Sequence, residues 1–87
     1  MTQQSEEKKG FILTGIVSAV KDRPTKDKKK TVYTYYVVTG TALYYVRSMK
    51  NGLQAGEMFN SHVNVRAYVA KNGNTGLDIW EGDRIAA

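Results

Sequence analysis

The feature that most constrains the fold is the strict alternation of side-chain character over residues 62–69. The odd-numbered positions from Val63 to Val69 are apolar, whereas the even-numbered positions from His62 to Tyr68 carry polar or amphipathic side chains. A period of two is the pattern of a β-strand with one face in a core and the other in water. No segment has the 3.6-residue period of an amphipathic helix. The chain is therefore predicted to be all-β.

Four further segments are rich in β-branched and aromatic residues, and turn signals separate them. Gly15 lies within the first and permits a bend at a barrel corner. Thr39-Gly40 predicts a hairpin between the second and third strands, and Asn72-Gly73 predicts one between the last two. Residues 48–61 are expected to form an irregular connection. The predicted strands are residues 11–20, 31–38, 42–47, 62–69 and 76–80.

Eighty-seven residues are enough for one compact domain. We expect a flexible tail over residues 1–10 and a single nucleic-acid-binding domain over residues 11–87. Five strands in an open sheet would leave exposed edges, which closure into a small barrel removes. The long first strand with its glycine, followed by a long loop, favours a five-stranded OB-fold barrel. An SH3-like barrel is the alternative.

The charge distribution predicts an anionic partner. Thirteen Lys and Arg against eight Asp and Glu give a formal net charge of +5. Six of the basic residues lie in residues 21–30, and five of the six tyrosines follow directly in residues 33–45. Cations neutralise phosphates and flat aromatic faces stack on unpaired bases, so this adjacency is typical of a single-stranded nucleic-acid binder.

The predicted hairpin register selects among these tyrosines. If Thr39-Gly40 is a two-residue loop, Tyr36 lies opposite Leu43 and Tyr45 opposite Thr34. Tyr36 and Tyr45 then share a face with Arg47, and because an unpaired guanidinium is costly to bury, that face is predicted to be exposed. Tyr33 remains a candidate because strand ends at a barrel rim can turn either way.

Catalysis, metal binding and cofactor binding are not expected. The chain has no cysteine and one histidine, His62, which cannot form a structural zinc site alone. The acids Asp78, Glu81 and Asp83 have no plausible general base or nucleophile beside them. The polar start lacks a signal peptide, and no apolar run approaches the roughly 20 residues that span a bilayer. We expect a complete chain acting in the cytoplasm of a bacterial host cell, without a membrane partner.

Three stretches carry a resemblance to a known family. They are Lys30-Thr-Val-Tyr33 after the basic loop, Ala55-Gly-Glu-Met-Phe59 before the fourth strand, and the closing Leu77-Asp-Ile-Trp80-Glu-Gly-Asp-Arg84-Ile. In pattern and length, with little identity, residues 11–86 resemble the gene V type single-stranded DNA-binding proteins of filamentous phages. The resemblance implies an OB-fold homodimer that coats single strands during phage or plasmid DNA replication. By position it points to Arg23, Lys28 to Lys30, Tyr33 or Tyr36, Tyr45 and Arg47.

Together, these observations predict a protein that binds single-stranded DNA with little sequence preference. A cold-shock-like RNA-binding protein is one alternative, and a protein-interaction module (a phage adaptor or inhibitor) that uses the tyrosine-rich sheet is another. For Trp80, a packing or subunit-interface role is at least as plausible as base stacking. The predicted binding residues are Arg23, Lys26, Lys28, Lys29, Lys30, Tyr33, Tyr36, Tyr45, Arg47 and Arg66.

Overall fold

Extended strands account for most of the described part of the chain. A computed structural model describes the backbone of residues 7–85 and the side chains from residue 10, and this part of the chain has no helix. Its five strands are β1 (Glu7–Pro24), β2 (Thr31–Thr39), β3 (Ala42–Ser48), β4 (Met58–Val69) and β5 (Thr75–Arg84). The all-β prediction is confirmed.

The strands close into a barrel in the order β1-β2-β3-β5-β4, with β4 pairing back to β1. Neighbouring strands are antiparallel except β3 and β5, which run parallel and pair only at Val46–Ile79 and Arg47–Trp80. A closed five-stranded barrel was predicted. Its order is not that of a simple meander, and the barrel is consistent with the predicted OB-fold and with the SH3-like alternative.

The long strand β1 closes the barrel by changing partners halfway. Residues 7–16 pair with β4 and residues 16–24 pair with β2. Gly15 lies at this change, where a Cβ atom would come 2.5 Å from the carbonyl oxygen of Val38. The close approach of the two backbones explains why glycine is needed there.

Alternate side chains of all five strands fill the core. The buried apolar residues are Val17, Tyr35, Val37, Val46, Phe59, Val63 and Ile79. At one end, the side chain of Glu81 is fully buried and accepts hydrogen bonds from Ser48, Ser61 and Arg84. Arg84 in turn donates to the backbone carbonyls of residues 50 and 51, which fixes the connection between β3 and β4.

Several predicted boundaries were wrong. β1 begins at Glu7, so residues 7–10 belong to a strand and not to the predicted tail, while residues 1–6 lie outside the described part. The same strand continues to Pro24, which places Lys21 and Arg23 on it and shortens the basic loop to residues 25–30. Both extensions arise from backbone pairing with β4 and β2, which needs no apolar pattern.

The β4–β5 hairpin extends beyond the core. On the predicted inward face of β4, Val63 is buried but Val69 is 72% exposed. Leu77 of β5, which pairs with Ala67 of β4, is 54% exposed. On the other face, the ring of Tyr68 covers Gly76, where a Cβ atom would lie 2.6 Å from the tyrosine hydroxyl. The alternation predicted the strand correctly, but only its first half packs in the core.

Candidate nucleic-acid interface

The hairpin of β2 and β3 brings two tyrosines directly opposite each other. Tyr36 pairs with Tyr45, not with Leu43 as predicted, because the turn is Gly40-Thr41 and not Thr39-Gly40. Gly40 has a φ of +60° at the first turn position, where a tight hairpin turn requires glycine. The register differs from the predicted one by two residues. Since side chains alternate with period two, the predicted faces are unchanged.

Burial confirms which face is exposed. Tyr35, Val37 and Val46 are fully buried, whereas Tyr45 is 56% exposed and Arg47 is also exposed. The ring centroids of Tyr36 and Tyr45 lie 4.8 Å apart at 77°, an edge-to-face pair that holds the Tyr45 ring on the surface. The ammonium group of Lys21 lies 5.6 Å from the Tyr36 ring centroid. One cation and two aromatic rings therefore form a single cluster.

Arg47 continues this face toward β5. Its guanidinium lies 5.7 Å from the ring centroid of Trp80 and 3.6 Å from a carboxylate oxygen of Asp78. That oxygen is buried and accepts no hydrogen bond. Arg47 thus lies over an aromatic ring and forms an ion pair that lacks a hydrogen bond.

The register shows which other predicted residues share this surface. Arg23 lies two residues from Lys21 on β1, and Arg66 on β4 lies opposite Asp78 on β5. Both side chains are exposed. We refer to this surface as the outer face; its residues are Lys21, Arg23, Tyr36, Tyr45, Arg47, Arg66 and Trp80.

Tyr33 lies on the opposite side of β2, at the barrel rim, so the structure does not bring it together with Tyr36 and Tyr45. Its ring stacks on Tyr35 with centroids 6.5 Å apart. It also lines a cleft of about 480 Å³ with Lys29, Lys30, Thr31 and Met49. Tyr33 is therefore a candidate contact for a second stretch of the nucleic acid, beside the cations Lys29 and Lys30.

The remaining predicted cations belong to a tightly turned loop of residues 25–30, here called the lysine loop. The backbone N–H of Thr25 donates to the carbonyl of Lys30, and that of Lys28 donates to the carbonyl of Thr25. Lys26, Lys28, Lys29 and Lys30 are all exposed, and none forms an ion pair with a described carboxylate. The loop therefore presents four lysines without ion pairs and, with Asp27, a formal net charge of +3.

Two residues of the outer face, Lys21 and Trp80, were not among the predicted binding residues. Lys21 was assigned to a loop, and its place over Tyr36 depends on the β1–β2 register, which nothing local in the sequence fixes. Trp80 reaches the outer face because β5 pairs with β3 across a parallel ladder. Alternation within β5 correctly placed Trp80 on the other face of the strand from Ile79, but it could not identify Arg47 as the neighbour of Trp80.

Two carboxylates have perturbed pKa values. A hydrogen bond from the Thr25 hydroxyl, followed by one from the Lys29 backbone N–H, lowers the pKa of Asp27. Burial raises the pKa of Glu81, but hydrogen bonds from Arg84, Ser48 and Ser61 outweigh it, and the net pKa is lowered. Both groups are thus ionised and serve as hydrogen-bond acceptors within the fold.

Comparisons add no family assignment. No protein-family model matches the chain, and no curated protein or solved structure is significantly similar to it. Among residues 7–85 there is no helix long and apolar enough to cross a membrane, and no cluster of three metal-binding side chains. The resemblance to gene V type proteins stays a prediction.

Proposed function

We propose that this protein is a non-catalytic single-stranded DNA-binding protein that coats or protects transient single strands, in phage or plasmid replication. The observation that carries the proposal is the Tyr36–Tyr45 pair on the barrel surface between Lys21 and Arg47, in which Tyr45 is exposed and Tyr36 is half-buried. The rings offer stacking surfaces to unpaired bases, and the cations lie within reach of the adjoining phosphates. Neither interaction depends on base identity, which supports binding with little sequence preference.

The lysine loop supplies the second part of the proposed path. Because β2 rises about 3.3 Å per residue, Tyr33 lies about 10 Å along the strand from Tyr36, toward the loop. A nucleic-acid strand that leaves the outer face at that end meets Lys29, Lys30 and the cleft beside Tyr33. We therefore expect loop lysines and outer-face tyrosines to contact different nucleotides of one strand.

We also propose that two copies associate through the β4–β5 hairpin. Val69 is 72% exposed and Leu77 54% exposed at its end, and clustered exposed apolar residues on a small protein mark a contact surface. Substitution of Leu77 by Asp is expected to convert a dimer into a monomer in sedimentation experiments. A wild-type protein that sediments as a monomer at micromolar concentration would contradict this.

One observation favours the protein-interaction alternative. Met58, Ile16, Val38 and Leu43 are cross-strand neighbours in a row over four strands, and all are between 37% and 56% exposed. An exposed apolar row beside the tyrosines could be covered by a protein partner, and it could equally extend a surface that binds nucleic acid. A failure of the chain to bind any single strand would favour this alternative.

A gel-shift titration tests the main proposal. A mixed-sequence single strand should bind more tightly than the matching duplex, and log affinity should fall with log salt by about 0.7 per neutralised phosphate. Competition with an RNA oligonucleotide of the same sequence distinguishes DNA binding from cold-shock-like RNA binding. Affinity that is insensitive to salt would refute the proposed phosphate contacts.

A further inference from the structure

The lysine loop contains one acidic side chain, and its hydrogen bonds are all with the loop itself. One carboxylate oxygen of Asp27 accepts a hydrogen bond from the Thr25 hydroxyl at 2.5 Å and one from the Lys29 backbone N–H at 3.1 Å. No ion pair joins Asp27 to a described lysine or arginine. The carboxylate therefore ties the two sides of the loop together without neutralising any of its ammonium groups.

The loop conformation needs such a tie. Lys28 has a φ of +60°, the left-handed region that a residue with a side chain rarely adopts without support. The hydroxyl of Thr25 also accepts a longer hydrogen bond, from the backbone N–H of Lys30. Asp27 and Thr25 together hold the backbone on both sides of the strained residue.

We propose that Asp27 is a positioning residue for nucleic-acid binding: it fixes Lys28, Lys29 and Lys30 in one arrangement toward the phosphates. The inference rests on the proposed function. It reverses the expectation from charge alone, by which an acid beside a phosphate site weakens binding and its removal strengthens it. A loop that is already ordered binds more tightly because less side-chain and backbone freedom is lost on binding.

Asp22 provides a matched control for the change in charge. It is exposed on β1 near the same loop, and its side chain makes no hydrogen bond or ion pair among the described residues. Asp22→Ala and Asp27→Ala change the net charge equally. Only the second removes an acceptor from the loop.

The test measures the dissociation constant of a fluorescent single-stranded oligonucleotide for each variant. Asp27→Ala should weaken binding about tenfold through the lost order of the loop, whereas Asp22→Ala should leave binding unchanged or tighten it. Asp27→Asn keeps an acceptor oxygen and should bind at least as tightly as wild type. Thr25→Val removes the hydroxyl without any change in charge and should weaken binding like Asp27→Ala.

Melting temperatures separate positioning from a loss of folding. Asp22 and Asp27 are exposed and Thr25 is half-buried in the loop, outside the core, so all four variants should melt close to wild type. If Asp27→Ala binds as tightly as Asp22→Ala, or tighter, the positioning role is refuted while the proposed function stands. If the wild-type protein binds no single strand, the proposed function itself fails.

Discussion

Substitution of Tyr45 by alanine tests the stacking surface most sharply. Tyr45 is 56% exposed, and its ring contacts Tyr36 edge to face at 4.8 Å, so its removal costs little apolar burial. Loss of that ring pair should lower stability by about 0.5–1.5 kcal/mol. Base stacking on an aromatic residue is worth about 1–3 kcal/mol, which corresponds to a dissociation constant weakened by about 5- to 150-fold. Binding should therefore suffer more than folding.

Fluorescence anisotropy of a labelled oligonucleotide measures this loss, and thermal melting measures stability on the same samples. Leu43→Ala is the control, since Leu43 is 45% exposed on the same face of β3 but has no ring. Tyr45→Phe should restore most of the affinity, and Tyr45→Leu should not. If Tyr45→Ala and Leu43→Ala weaken binding equally, or if leucine serves as well as phenylalanine, stacking at this position is refuted.

Three further substitutions separate binding from structure. Asp78→Ala releases Arg47 from its ion pair at 3.6 Å and should tighten oligonucleotide binding, measured by anisotropy. Glu81→Gln removes the negative charge that pairs with Arg84 and replaces one of the two acceptor oxygens with an NH₂ donor, and it should lower the free energy of unfolding at neutral pH by about 3 kcal/mol in denaturant titrations. Folding lowers the pKa of Glu81, so the ionised carboxylate stabilises the fold above the unfolded pKa of about 4.3, and this stabilisation is lost as the pH falls through the folded pKa. The free energy of unfolding of Glu81→Gln should therefore fall less steeply in acid than that of the wild type. Gly15→Ala would place a Cβ atom 2.5 Å from the Val38 carbonyl oxygen, and overpacking of this kind should cost about 1–3 kcal/mol in thermal melts.

Local patterns were sufficient to locate the five strands, although not their ends, and to identify the exposed face. Period-two alternation and turn glycines located five strands, and the cost of burying Arg47 identified the side of the hairpin that faces water. The hairpin register was not predictable in the same way, because Gly40 can occupy either central position of a two-residue turn. The error of two residues separated Tyr36 from Tyr45 but left them on one face.

Features that depend on distant pairing were missed. Glu81 reads as a solubilising acid near the end of the chain, yet it is buried because Ser48, Ser61 and Arg84 converge on it from β3, β4 and β5. The sequence around Lys21 predicts a loop, because Lys21 is held in a strand only by its backbone pairing with β2. In both cases partners on other strands are decisive, Ser48 and Ser61 for Glu81 and β2 for Lys21, and no local composition records them.

A titration followed by two-dimensional amide correlation spectra tests the central claim most directly. When a mixed-sequence single-stranded oligonucleotide is added, the largest shifts should fall on outer-face residues of β1, β2 and β3, Lys21, Tyr36, Tyr45 and Arg47 among them, and on the lysine loop. The end of the β4–β5 hairpin at Val69 and Leu77 should shift little. Shifts confined to that hairpin, or no shifts at all, would contradict the account.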